Sequence, residues 1–85
     1  MGEKMTDRIA DEIARNQQRA PYLSDWCHVA SGDIFTVRMH VIIEATMEPA
    51  VVYYQKRAEP WETWLRPAAE FFDGRFERHT APSES

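Results

Sequence analysis

Glycine, cysteine and an excess of positive charge are all scarce in this chain, and each shortage removes a class of function. Three glycines in 85 residues leave no Gly-rich loop whose closely spaced backbone N–H groups cradle a phosphate. The single cysteine, Cys27, excludes an internal disulfide framework and any multi-cysteine zinc site, and it fits a reducing compartment. Ten Lys and Arg against fourteen Asp and Glu give a net charge of −4, so the strongly basic footprint of a sequence-blind nucleic-acid binder is missing. Long apolar runs are also absent. Val41-Ile42-Ile43 falls far short of the ~20 residues of a membrane span, and residues 1–10 carry Glu3, Lys4, Asp7 and Arg8 where a signal peptide needs an apolar stretch. The expectation is a cytoplasmic chain with no membrane partner.

Catalytic and metal chemistry find little support. His28, His40 and His79 stand at no metal-ligand spacing, so neither a metal nor a cofactor is expected. Cys27 and His28 are neighbours in an extended segment, where adjacent side chains point to opposite faces and do not pair as nucleophile and base. The carboxylates Glu44 and Glu48, and Glu59 and Glu62, fall at expected turns and read as solvated. No catalytic residue is assigned.

What is present is enough to fold. The apolar fraction is 44% and ten residues are aromatic, too rich for a disordered chain. A single small domain follows, one that buries only about 60% of its unfolded surface and so has a thin core.

The first segment has helical periodicity: Ile9, Ala10, Ile13 and Ala14 share a stripe over residues 6–19, and Met5 extends it. Acidic Asp7, Asp11 and Glu12 lie toward its start and Arg15 and Arg19 toward its end, as the helix dipole favours. Pro21 closes it. This helix either covers the core or docks on another chain. From Ile34 the period changes to 2. Phe35, Val37, Met39, Val41 and Ile43 form one apolar row and Thr36, Arg38 and His40 the polar one, which predicts a long strand with the first row buried. Gly32-Asp33 precedes it as a turn, after a short strand near residues 26–29. Glu48-Pro49 reads as the next reversal, 51–54 as a second core strand, Glu59-Pro60 as punctuation and 61–66 as a third strand. Pro67 then pre-sets a helical turn that buries Phe71 and Phe72. Gly74 makes a tight reversal into a last short strand anchored by Phe76, and residues 80–85 are expected to be a disordered tail.

Two motifs in this stretch, Thr46-Met47-Glu48-Pro49-Ala50-Val51-Val52-Tyr53 and Trp64-Leu65-Arg66-Pro67 with Phe71 four residues on, resemble those of the bacterial and phage family known only as domain of unknown function 1653. Gly32 and Phe35 match its opening and Arg75-Phe76 its close, so the similarity spans about residues 26–79. The chain departs from the family in its charged N-terminal helix and its charge-rich loop at 55–59. The resemblance implies a compact, mainly-β fold and a bacterial or phage origin, and it carries no activity with it.

The expected fold is therefore mainly β (α+β): a small, strongly curved antiparallel SH3-like barrel or half-barrel over residues 21–79, with an N-terminal helix over 1–20 and one short helical turn. Glu48, Pro49, Trp64, Pro67 and Phe71 read as structural, with Trp64 and Phe71 as core anchors. Arg66 either pairs with Glu48, Glu62 or Glu70 or offers its guanidinium fork to a ligand. Tyr53 and Tyr54 cannot both face the core, nor can Trp61 and Trp64. The surplus aromatics, with Arg38, Arg57 and Arg66, either lie under the helix or the 26–29 segment or form a binding surface comprising Arg38, Tyr54, Arg57, Trp61 and Arg66. The functional expectation is a non-catalytic binding module for a protein partner or a second copy of itself. A nucleic-acid or nucleotide-derivative binder is the alternative, and an enzyme of unknown reaction the third.

Overall fold

A computed structural model describes residues 5–56 and 62–80, with side chains from Arg8 onward. The helical stripe forms α1 (Met5–Arg19), and the period-2 segments form β1 (Asp25–His28), β2 (Ile34–Ile43), β3 (Glu48–Gln55), β4 (Thr63–Pro67) and β5 (Phe76–His79), with a single turn of helix, α2 (Ala68–Phe71), before the last strand. The strands make one antiparallel sheet in the order β4-β3-β2-β1-β5. β1 to β4 follow each other as hairpins, and α2 carries the chain from one edge of the sheet to the other. The fold is mainly β, as expected, but the sheet keeps two edges and does not close into a barrel. Arg57, Trp61, Glu59-Pro60 and nearly all of the 80–85 tail lie outside the described residues.

The turns follow local chemistry. Gly32 (φ +80°) and Gly74 (φ +108°) occupy left-handed backbone that suits glycine. The β2–β3 reversal sits earlier than the sequence suggests: the chain turns over residues 44–47, with Met47 at φ +59°, and Glu48-Pro49 already belong to β3 opposite Ile43 and Ile42. Proline is tolerated at the opening of a strand because a missing N–H costs little there.

The core is aromatic. Phe71 is fully buried between Phe76, stacked at 4.6 Å and 16°, and Trp26, edge-on at 5.2 Å. Ala20, Val37, Val51, Tyr53 and Ala68 complete the cluster. The Trp26 indole N–H donates to Ser24 Oγ at 3.1 Å, which satisfies its one polar atom. Ala20, at the end of the helical extension, is as deeply buried as Phe71. Part of the stripe of α1 is buried within the chain: Ile9 is buried and Ile13 half-buried, while Ala10 and Ala14 are exposed, and nearer the helix end Asn16 is buried and the Arg19 guanidinium lies 4.0 Å over the Phe72 ring.

One irregularity reorganises β2. Val37 pairs with Tyr53, yet Met39 pairs with Val52, so Arg38 is an extra residue opposite no partner of its own. Such a bulge inverts the facing of everything beyond it. Phe35 and Val37 point to the core as expected, and Arg38 is exposed. Beyond the bulge the expectation fails: His40, opposite the buried Val51, turns inward, and Met39 is 48% exposed. The His40 ring donates from Nε2 to the Ala20 carbonyl at 2.8 Å, tying β2 to the end of α1. Thr36 also departs from the exposed polar row: it is buried, and its hydroxyl donates to Asp25 Oδ1 at 2.8 Å while Asp25 Oδ2 holds Lys56 at 3.1 Å.

The bulge gives a direct test. Deleting Arg38 restores an uninterrupted ladder but rotates Met39, Val41 and Ile43 toward the core and expels His40, so the deletion is expected to abolish cooperative urea unfolding. Arg38→Ala keeps the extra residue and should stay within about 0.5 kcal/mol of the parent.

Candidate functional site

Two surfaces collect residues that the core does not use, and they lie on opposite faces of β4. On the inner face, Trp64 stands opposite Tyr53 and Arg66 opposite Val51. Together with Phe76 of β5 and the β1–β2 turn they bound an open cleft of about 280 Å³, lined also by His28, Ser31, Asp33, Phe35 and Tyr53. The cleft lies where the two edge strands, β4 and β5, approach without pairing.

Trp64 is not the core anchor that its motif suggests. It is 53% exposed, because it sits on an edge strand at the lip of the cleft, and Trp26 fills the tryptophan position in the core instead. Phe71 does act as the anchor expected of it.

Arg66 is the organising charge of the cleft. Its Nε donates to the Tyr53 hydroxyl at 3.2 Å, its Nη1 reaches Glu70 Oε1 at 3.3 Å, and its guanidinium carbon lies 5.6 Å from the Phe76 ring centre. Of the three carboxylates that the sequence offers it, the pairing made is with Glu70, one turn into α2. The Tyr53 hydrogen bond, with smaller help from Glu70 and Asp73, holds its pKa above the ordinary arginine value against the effect of partial burial. It is a permanent cation. On the other wall, His28 Nδ1 and Ser31 Oγ share a hydrogen bond at 3.0 Å, and Ser31 Oγ accepts the Asp33 backbone N–H at 3.2 Å.

The outer face is apolar where solvent would be expected. The register aligns Met39, Val52 and Leu65 across three strands, and Leu65 is 53% exposed. Tyr22, exposed just after α1, and Arg38 join Met39 around a hollow of about 420 Å³. The Arg38 guanidinium carbon lies 6.0 Å from the centre of the Tyr54 ring.

The five binding residues expected from the sequence therefore do not form one surface. Arg38 and Tyr54 meet on the outer face, Arg66 belongs to the inner cleft, and Arg57 and Trp61 lie outside the described residues. Sequence reasoning missed Tyr22, Met39 and Leu65 outside, and His28, Asp33 and Phe35 inside. Of these, the bulge accounts for Met39, whose outward facing strict alternation conceals.

Cys27 is a partly buried free thiol that makes only a long contact, 3.8 Å, to its neighbour's carbonyl, so no nucleophile–base pair forms with His28. Among the described residues no three His, Cys, Asp or Glu side chains converge as a metal site, and no helix is long and apolar enough to cross a membrane. Comparison with protein-family models, with curated proteins and with solved structures finds no match to this chain.

The exposure of Trp64 sets a measurable contrast. Trp64→Ala should cost no more than about 1 kcal/mol in urea unfolding, whereas Phe71→Ala should cost about 3–5 kcal/mol through the cavity it leaves. Equal losses would put Trp64 back in the core.

Proposed function

We propose that this chain is a non-catalytic protein-binding module whose docking face is the outer surface of β2, β3 and β4, and that the occupant of that face is a second copy of the chain. The observation that carries the reading is the row Met39–Val52–Leu65, with Met39 and Leu65 exposed and Val52 half-buried, to which the bulge adds Met39 by turning it away from the core. Its composition supports an interface, since Tyr, Met and Arg are enriched in such surfaces. Its charge supports self-pairing. The centre of the face, Met39, Val52 and Leu65, is uncharged, so the apolar row itself meets a second copy without opposing like charges, while Arg38 beside it keeps its charge with its guanidinium carbon 6.0 Å from the Tyr54 ring centre. The helix stripe is not the docking element, because Ile9 is buried within its own chain.

The same reading takes the sheet as an SH3-like half-barrel of the kind that the resemblance to domain of unknown function 1653 implies. Its support is the four-strand meander followed by a crossover turn that returns the last strand beside the first. The motif residues serve that architecture: Glu48-Pro49 open β3, and Trp64 to Pro67 form β4 and lead into Phe71. A reducing, cytoplasmic setting is in keeping with the free thiol of Cys27.

Sedimentation at micromolar concentration tests the reading. The expected mass is twice 9.9 kDa, and Met39→Glu should weaken association by about 2 kcal/mol or more, the size of an interface hot spot, with the circular dichroism spectrum unchanged. A parent protein that stays monomeric refutes it.

A further inference from the structure

The inner cleft faces away from the proposed docking surface and has a chemistry of its own. We infer that it is a binding site for a planar heteroaromatic group of the nucleobase class, stacked on Trp64 and read at its edge by Arg66 and Asp33. Three observations lead there.

The first is the state of the rings. Trp64 has no ring, ion-pair or hydrogen-bond partner among the described residues, although it lines a cleft whose other aromatics are all engaged. Phe76 is covered by Phe71 on one side and approached by Arg66, and Tyr53 packs against Phe35, Phe71 and Phe76. A cage for a quaternary ammonium needs several free ring faces converging on one point. Here one free face remains, and one face suits a flat ligand. The existing cation, Arg66, also opposes a second cation beside it.

The second is the polar complement. Arg66 commits Nε and Nη1 to Tyr53 and Glu70, and its remaining guanidinium nitrogen, Nη2, has no partner among the described residues. The Asp33 carboxylate likewise has none, and it lines the same cleft. A donor and an acceptor lining one cleft match a ligand edge that carries both an acceptor and a donor, as nucleobase edges do. A purely anionic group would meet Asp33, and a purely cationic one Arg66.

The third is size. About 280 Å³ lies just below the roughly 300–1,000 Å³ of sites for drug-sized molecules, and suits one base rather than an extended ligand. The net charge of −4 opposes close approach of a polyphosphate or a long strand. The base is presented either by a free nucleoside or by a nucleotide of a strand, and the chemistry of recognition is the same.

The test uses the full chain, with the Trp64 indole N–H resonance identified by its loss in Trp64→Phe. Adenosine, guanosine, cytidine and uridine are titrated at millimolar concentration, with trimethyl-lysine and tryptophan amide as contrasts and a mixed-sequence oligonucleotide at two salt concentrations. At least one nucleoside should shift the Trp64 indole saturably and more strongly than either contrast. Read from the nucleoside's own resonances, Trp64→Ala and Asp33→Asn should each weaken that binding at least about tenfold with the fold unchanged by circular dichroism. Leu65→Glu, on the opposite face, should leave it intact, which separates this site from the docking face. An oligonucleotide that shifts the same indole, and whose own resonances no longer respond to Trp64→Ala, supports the site and gives a strand as its source; a nucleoside that binds where the oligonucleotide does not gives the free base. The inference is overturned if no nucleoside or oligonucleotide moves the Trp64 signal, if trimethyl-lysine binds as well, or if binding survives Trp64→Ala.

Discussion

The extra residue at Arg38 governs the rest of the molecule. A strand of ten residues with an unbroken ladder would send Met39, Val41 and Ile43 to the face that already holds Phe35 and Val37. That face would then present an apolar row with nothing to receive the end of α1. With one residue unpaired between Val37 and Met39, the inner face gains His40 at the point where the helix ends, and its imidazole N–H meets the otherwise orphaned carbonyl of Ala20. The bulge thus joins helix to sheet through a hydrogen bond and moves apolar surface outward in the same step.

That rearrangement divides the molecule by chemistry. Inside, aromatic rings interlock around Phe71, and the Arg66 guanidinium beside them is held by a phenol and a carboxylate. Outside, the aliphatic side chains of Met39, Val52 and Leu65 lie in register across three strands, with Met39 and Leu65 exposed. β4 belongs to both sides: Trp64 and Arg66 face the cleft, and Leu65 faces out. Its five residues carry the contacts on which both readings of function rest.

Much of the fold is legible in the sequence because local signals agree with it. The change of period at Ile34, the turn at Gly32-Asp33, the helical turn after Pro67 and the reversal at Gly74 each reflect short-range sterics that tertiary structure leaves in place. The bulge is not legible, because a period-2 pattern that is apolar on both sides of Arg38 reads as one continuous row. The role of Trp64 is hidden for a related reason. Its place in a motif and its size suggest a core residue, and only the sheet order, which makes β4 an edge, leaves it on a rim. Tyr53, by contrast, was one of two adjacent tyrosines of which alternation requires one to be buried, and the register selects it. Arg66 has several carboxylates within reach of its sequence position, and the pairing falls to Glu70 because α2 begins directly after β4.

The pairing of β1 with β5 has a consequence for the order in which the chain acquires its structure. The hairpins from β1 to β4 join segments close in sequence, but Asp25 lies opposite His79, and Phe76 stacks on Phe71 only once the chain has crossed the sheet. Local hairpins form early, whereas long-range strand pairing requires a large loop to close first. Until that loop closes, Trp26 and Phe71 lack the ring of Phe76 beside them, so the aromatic core is complete only once β5 has paired with β1.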